Sequence, residues 1–330
     1  MSRKKKKGNK LFVILSFLFA AAALVFAVLT AINFMPRQIT VIEREAQFKL
    51  ADGANTHSLA NKLSSLVTNN LKEAEIPDGI LPSLRQAYAV NKNLVGWLTI
   101  PGTEVDTAVL WADNNERYLY YDFYETRTWE TTGRLYGSLF LDYRCDNSGG
   151  LSKNMIIHGH TTGKSDNVPK QAFRSLYDYR KPDHFKKNPL IKYSTLKGEY
   201  TYKICAVFYS TVNPGDDAGY FFNYIYPDMS DSNMAGYIDQ VKQRALYETG
   251  VSLEPTDKII TLSTCIYDLG KNVDTRLVVV GRLLHEGEDE SIDKSLVKDN
   301  PDYRRPQVWY TRNGKTNPYA NAAKWEPSAE

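Results

Sequence analysis

An apolar run ends in a thiol at Thr261-Leu262-Ser263-Thr264-Cys265, and a guanidinium follows eleven residues on, at Arg276. A second apolar run, Asn154-Met155-Ile156-Ile157, leads into His158-Gly159-His160. Thiol, imidazole and guanidinium are the groups that thiol-based acyl transfer needs. The thiol must be at least partly ionised to attack a carbonyl. An imidazole can hand a proton to a departing amine. A guanidinium keeps its charge and offers several donors in a planar fork, which suits a developing oxyanion. Serine and threonine hydroxyls at Ser263 and Thr264 are placed to line such a site.

The elements that must hold these groups are strands. Residues 258–262 read as a buried strand with Cys265 at its tip, 268–272 as a turn, and Arg276 as the opening of a second strand through Val280. Strands joined so briefly pair antiparallel, which sets thiol and guanidinium at one end of a sheet. Arg282 is the rival guanidinium, but it lies six residues farther along, about 20 Å at about 3.3 Å per residue. A salt bridge from Arg276 to Asp274 or Asp268 is the plain structural alternative. Periodicity does not choose between His158 and His160, because side chains two apart on a strand point the same way.

From residue 94 to 284 the chain reads as short strands separated by turns, at 95–100, 105–110, 134–141, 154–158, 189–194, 200–211, 258–264 and 276–284. Such a series predicts a closed β-barrel. Leu59, Leu63, Leu66, Val67 and Leu71 have the spacing of an amphipathic helix, and Pro82 opens a second helix to Asn91. The long insertion from 211 to 258 has a helical pattern over 232–247; its first part, rich in Gly, Asp and Tyr, suits one wall of a substrate groove. The fold class is mainly β with added helices.

The pattern resembles the sortases. A strand ending in Thr-Leu-x-Thr-Cys, a Gly-His well upstream and an Arg shortly after the cysteine occur here in that order, and the likeness runs from about Leu59 to Leu284. The stretches 95–103 (Val-Gly-Trp-Leu-Thr-Ile-Pro-Gly-Thr) and 137–144 (Gly-Ser-Leu-Phe-Leu-Asp-Tyr-Arg) are similar to class B sortases in particular. The resemblance implies a closed eight-stranded sortase-type barrel, an N-terminal helical pair and a helix between the last two core strands. It implies Cys265 as nucleophile, His160 (the imidazole after the Gly) as general acid and base, Arg276 at the oxyanion or the substrate backbone, and Ser263 at the substrate, with Thr264 read beside it as a substrate-lining hydroxyl. His158 stands where class B members commonly carry Tyr, and the acid that some place just after the cysteine arrives here only third, as Asp268.

The activity so implied is a cysteine transpeptidase, free of metal and organic cofactor. It cleaves a sorting-signal peptide in secreted surface proteins through a thioacyl intermediate, and passes the acyl group to a peptidoglycan amine of a Gram-positive cell wall. A pilin polymerase with a lysine acceptor is the alternative of the same chemistry, weighed down by the lack of an upstream Asp-Pro-x-aromatic lid. A non-catalytic anchored binding module is the alternative of another class, and the intact Cys/His/Arg set argues against it.

Residues 11–32 are apolar except for Ser16 and Thr30. A helix of that length spans about 33 Å, enough for a hydrocarbon core of about 30 Å. Residues 1–10 hold six basic side chains, so the positive-inside rule predicts a single-pass anchor with a cytoplasmic N-terminus and an extracellular catalytic domain at the cell membrane. The alanines at 20–23 mimic a signal-peptide cleavage region, but the apolar run continues to Leu29. Residues 33–56 read as a stalk, 57–285 as the catalytic domain and 286–330 as a loosely packed tail. The tail has no terminal apolar stretch of a wall-sorted substrate. Removing the six basic residues from the net +3 leaves about −3, so nothing points to nucleic acid. Of three cysteines, Cys145 and Cys205 are candidates for a disulfide, and no Cys/His set has zinc spacing.

Overall fold

In the computed structural model, residues 76–128, 136–161, 173–270 and 272–327 are described. Side chains of a strand alternate between its faces, and here both faces are apolar. The barrel strands are β1 (Leu94–Thr99), β2 (Asp106–Leu110), β3 (Leu139–Leu141), β4 (Asn154–Gly159), β5 (Leu190–Thr195), β6 (Glu199–Thr211), β7 (Ile259–Ile266) and β8 (Thr275–Leu283). They close in the order β1-β2-β3-β4-β7-β8-β6-β5, with β5 returning to β1. The eight strands expected from the sequence are all present; β3 alone is much shorter than its forecast.

Ile157, Ile260, Leu262, Leu277 and Val279 fill the barrel interior with Leu98, Val109 and Ile191. Their neighbours Ile259, Val278 and Val280 face outward beneath a second cluster. That cluster is supplied by the helix α4 (Asp231–Arg244), through Met234, Tyr237, Ile238 and Val241. Ser230 caps it, its hydroxyl accepting from the Asn233 N–H at 3.3 Å. On the opposite side α1 (Pro82–Val90) sets Leu84 and the preceding Ile80 against Leu94, Leu110 and Phe140. Two short helices, α2 (Arg117–Tyr120) and α3 (Pro182–Lys187), stand in the connections after β2 and before β5. Strands covered on both faces explain why β4 and β7, which pair in parallel, read as continuous apolar runs.

The insertion helix is present where the pattern over 232–247 put it, between β6 and β7, while β7 and β8 are themselves joined directly by residues 267–274. Residues 59–71, the expected first helix of the N-terminal pair, lie outside the described residues, as does the stalk. The expected single-pass membrane localisation finds no support in the structure: among the described residues no helix is long and apolar enough to cross a membrane, and residues 11–32, where the span was expected, lie outside them.

The C-terminal tail also differs from the loose end expected. Residues Lys298–Asp299 pair with Tyr247–Glu248, and a short helix, α5 (Gln307–Arg312), follows. Trp325 then docks on Phe222 and Tyr237, both at 5.8 Å between ring centroids. Its backbone N–H donates to the Tyr220 hydroxyl at 3.0 Å, and that hydroxyl donates to the Trp325 carbonyl at 2.8 Å. Gly236 of α4 lies under the indole, where a Cβ would collide with it. A few well-spaced aromatic side chains hold this tail, and sparse aromatics leave no periodic signal in a sequence.

Candidate active site

Parallel pairing of β4 and β7 ends at Gly159 opposite Thr264. One position on in each strand come His160 and Cys265. Hydroxyls knit this junction. Thr264 donates to the Gly159 carbonyl at 2.8 Å, and Thr161 donates to the Cys265 carbonyl at 2.5 Å. On the other side of β7, antiparallel pairing places Arg276 of β8 directly opposite Cys265. Three strands therefore deliver thiol, imidazole and guanidinium to one end of the barrel. Cys265 and Ser263 share the outward face of β7 with Ile259, and Arg276 shares that of β8 with Val278.

The His160 ring nitrogen Nε2 lies 3.0 Å from the Leu119 carbonyl oxygen. A carbonyl only accepts, so Nε2 carries the proton and Nδ1 holds the lone pair of the neutral ring. Burial lowers the His160 pKa; the hydrogen bond to Leu119 opposes this, and the Arg276 charge adds to it. Burial raises the Cys265 pKa, Arg276 pulls it down and Asp274 pushes it up. The Arg276 charge is thus felt by both partners. At rest its guanidinium pairs with Asp274 and donates to the Thr275 carbonyl at 3.3 Å. The resting protein accordingly holds a thiol and a neutral imidazole on adjacent strand ends.

The other sequence candidates separate cleanly. Arg282 is committed elsewhere, to Glu288 at 2.5 Å and 2.7 Å, opposite Ile259 at the far end of β7. Ser263 is buried on the cysteine's face, with its hydroxyl 2.9 Å from that of Tyr224 in the insertion. Thr264 corrects its forecast: it points to the barrel side and its hydroxyl is a strut between strands, not a group offered to a groove. Asp268 takes hydrogen bonds from Tyr177 at 2.6 Å, Arg180 at 2.6 Å and Tyr209 at 3.0 Å. It is a structural hub of the loop after Cys265. Cys145 and Cys205 are both free, and burial pushes each thiol up to about 12. Among the described residues no group of three or more His, Cys, Asp or Glu is placed to hold a metal.

His158 is held apart from His160 by its partner. Its Nε2 meets Asp142 at 3.0 Å, and its ring packs on Phe140. Asp142, with a side chain 0% exposed, also accepts from Arg144 through Nε and Nη2, each at 2.8 Å, and from Asn115 at 2.9 Å. Burial would raise this carboxyl's pKa; the Arg144 and His158 contacts outweigh it and hold it well below the usual carboxylate range. Asp142→Ala is expected to cost about 1–3 kcal/mol, because it leaves the His158 and Asn115 donors without their acceptor and removes the partner of a guanidinium that is itself about a third exposed. Since the folded pKa is depressed, this contribution is present above about pH 4 and lost as pH falls through the lower folded value. Thermal melts of both proteins check it: the gap in Tm should narrow on acidification, and a gap independent of pH would refute the assignment.

Sequence reasoning missed Leu119, Thr161 and Tyr224. Leu119 acts through a backbone carbonyl, which carries no side-chain signature. Tyr224 lies among several tyrosines of the insertion, and nothing local singles it out. Asp142 was in view within a quoted motif but had no assigned partner.

The sortase-domain family model matches residues 98–284, more than half of the chain. With the barrel and the Cys265/Arg276 pairing, this places the chain in the sortase family of cysteine transpeptidases. Its relatives are sortase B proteins: that of Listeria monocytogenes serovar 1/2a is 28% identical over 237 residues, covering 72% of this chain and 88% of its own. A Staphylococcus aureus sortase B–substrate complex is similar with a TM-score of 0.52 at 27% identity, covering 68% of this chain and 94% of that one. A sortase B complexed with triglycine is similar with a TM-score of 0.51, at the same identity and coverage.

Proposed function

We propose that this protein cleaves a sorting-signal peptide and transfers its acyl half to a primary amine of peptidoglycan. The observation that carries the reading is the register of β4, β7 and β8, which sets His160 and Arg276 on either side of Cys265. The Cys265 sulfur attacks the scissile carbonyl as its proton passes to the Nδ1 lone pair of His160, leaving an imidazolium. Arg276 leaves Asp274 to receive the oxyanion, and His160 gives its proton to the departing amine as the C–N bond breaks and the thioester remains. The acceptor amine then attacks the thioester, loses a proton to His160 and releases the thiolate. Ser263 and Tyr224 form the floor along which the peptide lies. A relative solved with substrate and another solved with triglycine support a peptide donor and an amine acceptor.

The test is incubation of the protein with quenched sorting peptides, with and without triglycine, and mass spectrometry of the products. An acyl half joined to triglycine supports the reading. Transfer only to the lysine of a second protein would move it to pilus assembly. No thioacyl adduct with any peptide would overturn it in favour of a binding module.

Arg276→Ala is expected to lower kcat about 100- to 1000-fold, the usual loss of an oxyanion donor. It should also move the pH profile in a defined sense. The guanidinium lowers the pKa of both His160 and Cys265. Removing it raises both, so the acid and alkaline limbs of kcat/KM should both shift to higher pH. A rate loss with unmoved limbs would make Arg276 a substrate-binding residue remote from the reacting pair.

A further inference from the structure

The tail lies beyond the family match, which ends at residue 284, yet it reaches the loop that joins the two catalytic strands. The Arg312 guanidinium, in the last turn of α5, donates to the Leu269 carbonyl. It also lies against Gly270, where φ is +119° and a Cβ would collide with it. Leu269 is buried, and the Gly270 N–H donates to the Tyr267 carbonyl at 3.0 Å, closing a tight turn two residues after Cys265. The same turn is held from the barrel side through Asp268, by Arg180, Tyr177 and Tyr209. At its other end α5 is fixed to the insertion: the Gln307 N–H donates to Asp217 at 2.8 Å. The tail therefore bridges the insertion that walls the site and the loop between Cys265 and Arg276.

We propose that the C-terminal tail is a clasp and that Arg312 is a positioning residue for catalysis, fixing the turn at 267–270 and with it the placement of Cys265 opposite Arg276. The proposal rests on the transpeptidase reading. Arg312 touches neither reacting group; it acts through the Leu269 carbonyl. Reaction rates are steep in geometry, and a misplacement of about 1 Å can cost about 100-fold. Deletion of one of the turn's two restraints, with the Asp268 side intact, should therefore lower kcat about tenfold. KM for the peptide should change little, since the groove floor at Ser263 and Tyr224 is not part of the turn.

The experiment compares the full chain with its Arg312→Ala and Arg312→Lys variants in peptide transfer to triglycine, and separately measures the rate of Cys265 alkylation by iodoacetamide. In Arg312→Ala, kcat should fall about tenfold with KM held, and alkylation should accelerate several-fold as the turn opens. Arg312→Lys keeps a cationic donor and should recover part of both. If Arg312→Ala does not fold, Arg312→Lys carries the test alone, with an expected intermediate loss of kcat at unchanged Tm. A kcat and an alkylation rate both within twofold of the parent would overturn the clasp. A parent protein that forms no thioacyl adduct would instead defeat the transpeptidase reading, and the alkylation rates would still decide whether Arg312 restrains the turn.

Discussion

Cys265→Ala is expected to abolish both peptide cleavage and the thioacyl adduct, leaving no turnover above background. The other two thiols have no means of substituting. Cys145 is buried and sits between the Asn154 carbonyl and the Ile156 N–H, each 3.4 Å from its sulfur. Cys205 donates to the Val280 carbonyl at 3.4 Å, on the strand that bulges between Ile204 and Ala206. With both pushed up to about 12, fewer than about one molecule in ten thousand carries a thiolate there near neutral pH. Cys265 is also raised by burial, but the Arg276 charge opposes the shift at the site where the carbonyl must bind. Intact-mass measurement after incubation with peptide reads the result directly. The parent should gain the acyl mass, as should Cys145→Ala and Cys205→Ala, while Cys265→Ala should not. An adduct that survives in Cys265→Ala would remove the nucleophile assignment and with it the proposed mechanism.

The path from sequence to site was short where the chemistry rests on strand register. Cys265 and Arg276 are separated by one turn, so their apposition follows from antiparallel pairing, and the structure has them as direct partners. The barrel was legible for the same reason: its strands are local apolar runs bounded by turn residues. What stayed hidden depends on contacts between distant segments. Nothing near Asp142 announces that it will accept from His158, sixteen residues on, and from Asn115, twenty-seven residues back. Nothing near Arg312 announces Leu269, forty-three residues back. Thr264 failed for a subtler reason. Strand alternation turns it away from the face that carries Cys265, and the motif alone does not say which of two adjacent hydroxyls faces out. The tail was misjudged because its packing relies on single aromatic anchors such as Trp325, without the repeat that marks a helix or strand.

His160→Ala should lower kcat/KM for peptide cleavage about 100- to 10,000-fold, the range for loss of a positioned general acid and base. The pH profile supplies the sharper signature. Thiol with neutral imidazole and thiolate with imidazolium hold the same number of protons, so kcat/KM follows that protonation state whichever form reacts. It should rise as His160 loses its proton and fall as Cys265 loses its own. Burial and Arg276 lower the first pKa, so the acid limb lies below the ordinary 6.5 of an imidazole. Burial raises the second, so the alkaline limb lies above the ordinary 9.0 of a thiol. In His160→Ala the imidazole-dependent acid limb and the alkaline fall should both vanish, and the residual rate should instead rise as Cys265 ionises. A substrate whose leaving group needs no proton, such as an activated thioester, should recover acylation of Cys265 in this variant; Cys265→Ala should not respond. His158→Ala is the control. Its imidazole is engaged by Asp142 and stacked on Phe140, so its loss should reduce Tm while kcat stays within about tenfold and the acid limb remains. Equal loss of activity from the two histidine changes, or an acid limb that disappears with His158 instead, would transfer the acid–base role to the imidazole before the glycine.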